Sequence, residues 1–231
     1  MALSPLRIAG IATLFVAFFL SFLVSISLPT IRTLEFARIT LPNAKFLSSN
    51  GNISFFQEVR FGIWAFCQYD TDGKRQCSPT GHGYTWFGIS SINQSGRITG
   101  ILVQPLKASW TRGLAIHPVA TAFAFIAFCL VFTKRTLLPL LFTALAAVLT
   151  LLAFAVDIAL YAEVHHLVAN VQNQGAVSTT GPGFWLTFVS LILLIVAGVT
   201  NLISHRNEAY PEYPSYPMSS AKPSWLGFLK K

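Results

Sequence analysis

The 231-residue chain is 53% hydrophobic and only 10% charged, where an average soluble domain carries about a quarter charged residues. A mean hydropathy of +0.59 excludes a disordered regulator, which needs low hydrophobicity with high charge, and argues against a soluble enzyme, because one small core cannot hide so much apolar surface. Sixteen Lys and Arg against eight Asp and Glu give +8, but runs of membrane-spanning length sit between the basic residues, so the excess does not imply nucleic acid as a partner.

A membrane span needs about 20 predominantly apolar residues, and four segments qualify. After a short N-terminus (1–7) carrying Arg7, Ile8–Leu28 has no charge and is stopped by Pro29. A cleaved signal peptide is the rival reading of this run, but signal h-regions span about 7–15 residues and this one is longer. Residues 29–113 then form a loop too long for a connector, better explained as a small folded unit. Within it, Val59, Phe61, Ile63, Ala65 and Cys67 alternate with Glu58, Arg60, Gly62, Trp64 and Phe66, a strand period predicting one strand over Glu58–Cys67. Thr33–Thr40 and Tyr84–Ser90 are further β-prone runs. Turn-rich stretches such as Asp70-Thr71-Asp72-Gly73 separate them, so the loop reads as a small antiparallel sheet.

Leu114–Thr133 is the second span, with His117 as its ionisable group and Pro118 in its first turn, where a missing donor is tolerated. Lys134 and Arg135 make a two-residue turn (134–135) into span three, 136–161, which is apolar except for Asp157. A second, shorter loop (162–182) lacks Lys and Arg, span four runs Gly183–Ile203, and the tail (204–231) carries Arg206, Lys222, Lys230 and Lys231. By the positive-inside rule, both termini and the Lys134-Arg135 turn lie in the cytoplasm and both long loops lie outside. The tail holds a Pro-rich stretch, Tyr210–Pro217, not expected to fold, and Trp225 and Phe228 beside the last lysines, suited to lipid headgroups.

Cys67 and Cys77 flank an Asp-Gly turn in the first loop. Outside the cell such a pair reads as a disulfide, stabilising by roughly 2–3 kcal/mol in the chain-entropy picture; two free thiols, or half of a metal site, are the alternatives. Asn52-Ile53-Ser54 and Asn93-Gln94-Ser95 are candidate N-glycosylation sequons on the same loop. Asp157 at mid-bilayer would cost at least about 2.5–3.5 kcal/mol. It lies near the outer end of its span, where it can reach water or pair with a basic residue such as Arg112, so the expectation is a structural (intramembrane) or interfacial acid; an ion or proton pathway and a partner contact are the alternatives. His82, His117, His165 and His166 fall on the external side and are candidate pH-responsive groups, because an unperturbed imidazole titrates near pH 6.5. Their plain reading is surface or interfacial histidines. Cys129, near the cytoplasmic end of span two, reads as a small buried helix residue or a candidate palmitoylation site.

No catalytic, cofactor-binding or metal site is expected: nucleophile-elbow, His-Glu-x-x-His and P-loop motifs are absent, and Gly81, Gly83, Gly181 and Gly183 read as turns. No single span carries a ladder of polar residues, which argues against a transporter. Helix pairing is expected on small faces such as Ala144, Ala147 and Ala155.

Gly62-Ile63-Trp64-Ala65-Phe66-Cys67, with Cys77 nine residues on, resembles the Trp-x-x-Cys…Cys signature in the first extracellular loop of claudin-like four-span proteins, the family motif resting on Gly62, Trp64, Cys67 and Cys77. No Trp precedes Trp64, so the first Trp of the animal claudin pattern has no counterpart. Within that superfamily the chain is most similar to the fungal SUR7/PalI family, through Arg112-Gly113-Leu114-Ala115-Ile116-His117-Pro118, Val156–Tyr161 and Gly183–Phe188. The resemblance implies an all-α membrane fold, a four-transmembrane-helix bundle with a small extracellular antiparallel sheet formed mainly by the first loop. It also implies a non-enzymatic plasma-membrane protein. In the PalI branch that means an accessory assisting a separate membrane sensor in the ambient-pH response; in the SUR7 branch, an organiser of membrane domains and cell-wall deposition. A small channel or transport accessory ranks third. The partners implied are membrane lipids, other membrane proteins (a pH-sensor complex or membrane-domain components) and a second copy of the chain as a homo-oligomer.

Overall fold

A computed structural model describes residues 5–40, 45–47, 53–70, 72–86, 90–92, 98–101, 106–133, 137–169 and 176–209. Among the described residues four helices are long and apolar enough to cross a bilayer. Helix α1 spans Pro5–Ser25. Helix α2 (Ala108–Arg112), a single 3-10 turn (Gly113–Ala115) and α3 (Ile116–Val131) run on as one rod. Helices α4 (Leu137–Ala169) and α5 (Pro182–Ala209) complete the set. Pro182 opens α5 at the first helical position, where its missing N–H would be unpaired in any residue.

The helices form a ring in which α1 packs on α3 and α5, and α4 packs on the same two neighbours. Their buried residues recur every three or four positions. On α4 they are Thr143, Ala146, Thr150, Ala153, Asp157, Leu160 and Val164, and on α1 Gly10, Leu14, Ala17, Ser21 and Val24. This is the seam spacing that lets left-handed bundles interdigitate. The expected small face is therefore corrected: Ala144 and Ala155 are exposed and Ala147 only half-buried. The buried alanines are Ala146 and Ala153, in register with the polar residues of the same stripe. Ala17, Ala124, Ala127 and Ala197 join Ala146 in a core at the end of the bundle away from the sheet, so the helices approach closely through small side chains.

Five strands form the body of the sheet, in the order β5 (Arg75–Cys77), β4 (Phe66–Asp70), β3 (Ile53–Phe61), β1 (Ala37–Thr40), β8 (Val177–Thr180), with β2 (Lys45–Leu47) also on β3. Every pairing is antiparallel. A separate hairpin joins β6 (Ser90–Ile92) to β7 (Ile98–Ile101). Alternation places Ala37, Ile39, Val59 and Phe61 on one face, packed on Leu114, Leu160, Val164 and Leu167 at the helix ends. At about 1.5 Å per residue α4 is roughly 50 Å long, well beyond a hydrocarbon core of about 30 Å. Its last turns are the post on which the sheet stands.

Several expectations change. The single strand over Glu58–Cys67 is two strands: β3 ends at Phe61, residues 62–65 turn, and β4 begins at Phe66. The Thr33–Thr40 run becomes strand only at Ala37, and in Tyr84–Ser90 the described pairing is one bridge, Trp86 to Leu106, and the start of β6 at Ser90. Helix α1 stops three residues before Leu28, which is buried under the sheet. Helix α4 continues to Ala169, eight residues past the expected end of its span, and the second loop contributes β8 to the sheet. The result is the claudin-like arrangement, an all-α four-helix bundle capped by one small antiparallel sheet.

Candidate functional site: a signature hairpin seated on a polar helix seam

The turn between β3 and β4 is where the sheet meets α1. Gly62 N–H donates to Ala65 O at 3.0 Å and closes the turn. A Cβ at Gly62 would lie 2.4 Å from Leu28 Cβ, so no larger residue fits. Ile63 N–H donates to Ser27 Oγ at 3.1 Å and Trp64 Nε1–H to Ser25 O at 2.8 Å, so two turn residues hold the frayed end of α1. Tyr84, wholly buried, donates its hydroxyl to Gly62 O at 2.8 Å, and burial pushes its pKa well above the ordinary tyrosine value. Cys67 and Cys77 stand opposite each other in register on β4 and β5, their Cα atoms 4.0 Å apart, and form the disulfide. Gly62 thus provides clearance, Trp64 anchors the hairpin to α1, and the cysteines tie down the edge strand.

The other face of the sheet carries charge. Arg38 and Arg60 are cross-strand neighbours, a repulsive placement by itself, but Glu35 and Glu58 lie between them. Arg38 Nε is 2.8 Å from Glu58 Oε1 and also donates to Glu35. Arg60 is 3.0 Å from Glu58 Oε2 and 3.4 Å from Glu35 Oε2. Partial burial works against the Arg60 charge, yet the Glu58 hydrogen bond and the two carboxylates outweigh it and raise its pKa. Its guanidinium also lies 4.4 Å from the centre of the Tyr69 ring. Glu35, fully buried, was not singled out by sequence. Its signal lies behind it: Gly183 N–H donates to Glu35 O at 2.9 Å, and a Cβ on Gly181 would be 2.1 Å from that oxygen. The two glycines read as turns are clearance for this close approach.

Below the sheet, polar residues from all four spanning helices converge. Ser21 of α1, His117 and Thr121 of α3, Thr150 and Asp157 of α4, and Thr187 and Ser190 of α5 are buried. Asp157 is 1% exposed. Of the two readings the structural acid stands and the interfacial one is corrected: Asp157 neither reaches water nor pairs with Arg112, whose side chain lies over Gly83. Its partner is His117, with Nε2 3.0 Å from Oδ1. Thr121 Oγ1 donates across helices to Ser21 O at 3.1 Å and lies 2.8 Å from Ser25 Oγ, binding α3 to α1. Phe36, at the mouth of β1, sets its ring 5.1 Å from His117 and links the sheet to the seam. No single span carries a polar ladder, but each contributes one or two rungs to a shared one, which reading the spans singly misses.

The remaining candidates are dispersed. His82 sets its ring edge on Trp64, centroids 5.5 Å apart, and His165 lies 6.1 Å from the Tyr161 ring. His166 is on the same helix turn. His117 is not at the surface, as its plain reading had it, but 4% exposed inside the bundle. Cys129 faces outward from α3 rather than into the bundle. Among the described residues no three His, Cys, Asp or Glu side chains gather as metal ligands. Asn52, Asn93, the Lys134-Arg135 turn and the tail from Tyr210 on lie outside the described residues.

Comparison with curated proteins finds no match. A model of the SUR7/PalI family matches residues 6–197, from the first turns of α1 well into α5 and so across both the signature hairpin and the polar seam. With that match covering most of its length, this multi-pass membrane protein belongs to the SUR7/PalI family.

Proposed function

We propose that the chain is a non-enzymatic accessory of the fungal plasma membrane, both termini cytoplasmic, presenting its sheet to a separate membrane sensor in the response to alkaline pH. The observation that supports a presenting role is the β5 edge. Arg75, Gln76 and Cys77 are exposed, and among the described residues β5 has β4 on one side only. A strand edge with unpaired main-chain groups is suited to meeting another protein, and the Cys67–Cys77 disulfide ties it to β4. The test is a deletion strain complemented with the wild-type chain or with Gln76→Lys, which blunts the edge. The reading expects growth to fail only at alkaline pH, wild type to restore it and co-purify the sensor, and Gln76→Lys to do neither. Stable cortical patches with a wall defect at every pH would instead assign the membrane-domain organiser's role. Ion flux through the purified chain in liposomes would assign a channel.

A further inference from the structure

At the level of the His117–Asp157 pair the four spanning helices do not close completely. They leave a small cavity whose polar lining is Ser21 of α1, His117 and Thr121 of α3, Thr150 of α4, and Thr187 and Ser190 of α5. It has room for about one water molecule. The polar atoms around it are unbalanced. Thr150 donates its hydroxyl hydrogen to Ala146 O at 2.8 Å, Thr187 to Gly183 O at 3.0 Å and Ser190 to Thr187 O at 2.9 Å. Thr121 donates to Ser21 O or His117 O. These hydroxyls therefore have only lone pairs left to offer. Ser21 Oγ, 8% exposed as a residue, has no protein partner.

Buried polar groups are nearly always satisfied, and an orphan beside a polar cavity marks an unseen partner. The occupant must donate hydrogen bonds to lone pairs and accept one from Ser21. A cation can meet lone pairs but cannot accept the Ser21 hydrogen, and an apolar filler does neither. We propose that this cavity is a binding site for a single water molecule that takes the Ser21 hydrogen and donates to the hydroxyls of the other helices. Bound there, it joins α1, α3, α4 and α5 into one polar unit next to His117 and Asp157.

The test is a high-resolution structure of the full chain in lipid nanodiscs, wild type and with Ser21→Ala plus Thr150→Val, changes that remove two hydroxyls without adding bulk to the cavity. The expected result is one density peak in the wild-type cavity within hydrogen-bond distance of Ser21 Oγ, unchanged when buffer sodium is replaced by choline, and absent in the double variant. An empty wild-type cavity would overturn the proposal, as would a peak that disappears with sodium or one that persists in the double variant. Should the double variant not fold, the wild-type maps in sodium and in choline decide between water, cation and void.

Discussion

Trp64 Nε1 donates to the main-chain carbonyl of Ser25 across 2.8 Å, so the signature tryptophan closes the last turn of α1. Helix ends leave four carbonyls without helical partners, and here the hairpin above supplies one donor from a side chain. Trp64→Phe keeps most of the ring and removes only the N–H. It is expected to lower stability by about 1 kcal/mol, seen as a lower unfolding midpoint in detergent, while Trp64→Ala loses the packing as well and falls further. An unchanged midpoint for Trp64→Phe would remove this role.

Two glycines one hundred residues apart make a matched pair. Nothing lies within 4 Å of a Cβ built on Gly81, whereas one on Gly181 meets Glu35 O at 2.1 Å and cannot be relieved by a side-chain rotation, because the obstacle is backbone. Gly81→Ala is expected to be neutral. Gly181→Ala should push β1 away from the start of α5 and abolish folded, membrane-inserted protein, as judged by fractionation and gel filtration. Equal yields of the two variants would contradict the clamp.

Alanines on opposite faces of α4 test the packing register. Ala153 is fully buried and Ala155 exposed. Ala153→Leu is expected to destabilise by about 1–3 kcal/mol through overpacking, and Ala155→Leu to stay within about 0.5 kcal/mol. The readout is the fraction folded across a detergent-denaturant titration. The reverse order would mean that the helix is rotated.

Tyr84 gives the sheet an alkaline limit. Burial raises its pKa above the ordinary value of 10.0, so between those two values the unfolded chain has released a proton that the folded chain keeps. Stability from this group is complete below pH 10 and declines as pH rises through that window. Near-ultraviolet circular dichroism should show the sheet loosening above about pH 10. Tyr84→Phe should be less stable at neutral pH, by about 1 kcal/mol for the bond to Gly62, with a flatter alkaline limb. A limb of the same steepness in the variant would show that another group sets it.

Much of this architecture is legible in one dimension because its causes are local. Uncharged runs of spanning length and a cysteine pair across an Asp-Gly turn need no tertiary information. The strand over Glu58–Cys67 is different. Val59, Phe61, Ile63, Ala65 and Cys67 are all buried, so the alternation is real, but it runs unbroken through a turn whose own residues also face the helix ends. The pattern cannot tell one strand from two. His117 and Asp157 are forty positions apart, and spacing alone does not join them. Depth does: one lies near the start of its span, the other near the end of the next, and antiparallel spans bring those levels together. Glu35 has no such marker, since a buried acid between two arginines from different strands exists only once the sheet has formed.

The position of β1 sets an order of events during synthesis. It lies between β3 and β8, and β8, with the glycines that pack on Glu35, is translated just ahead of the last span. Until that segment emerges, β1 has an open edge and Glu35 lacks its cover, even though Cys67 and Cys77 are both available to join. The nascent sheet is therefore a half-built structure until the final span arrives, and a chain stalled before residue 177 would display an unpaired strand. Pairing of β1 with β8 is the step that closes the sheet's last open interior edge.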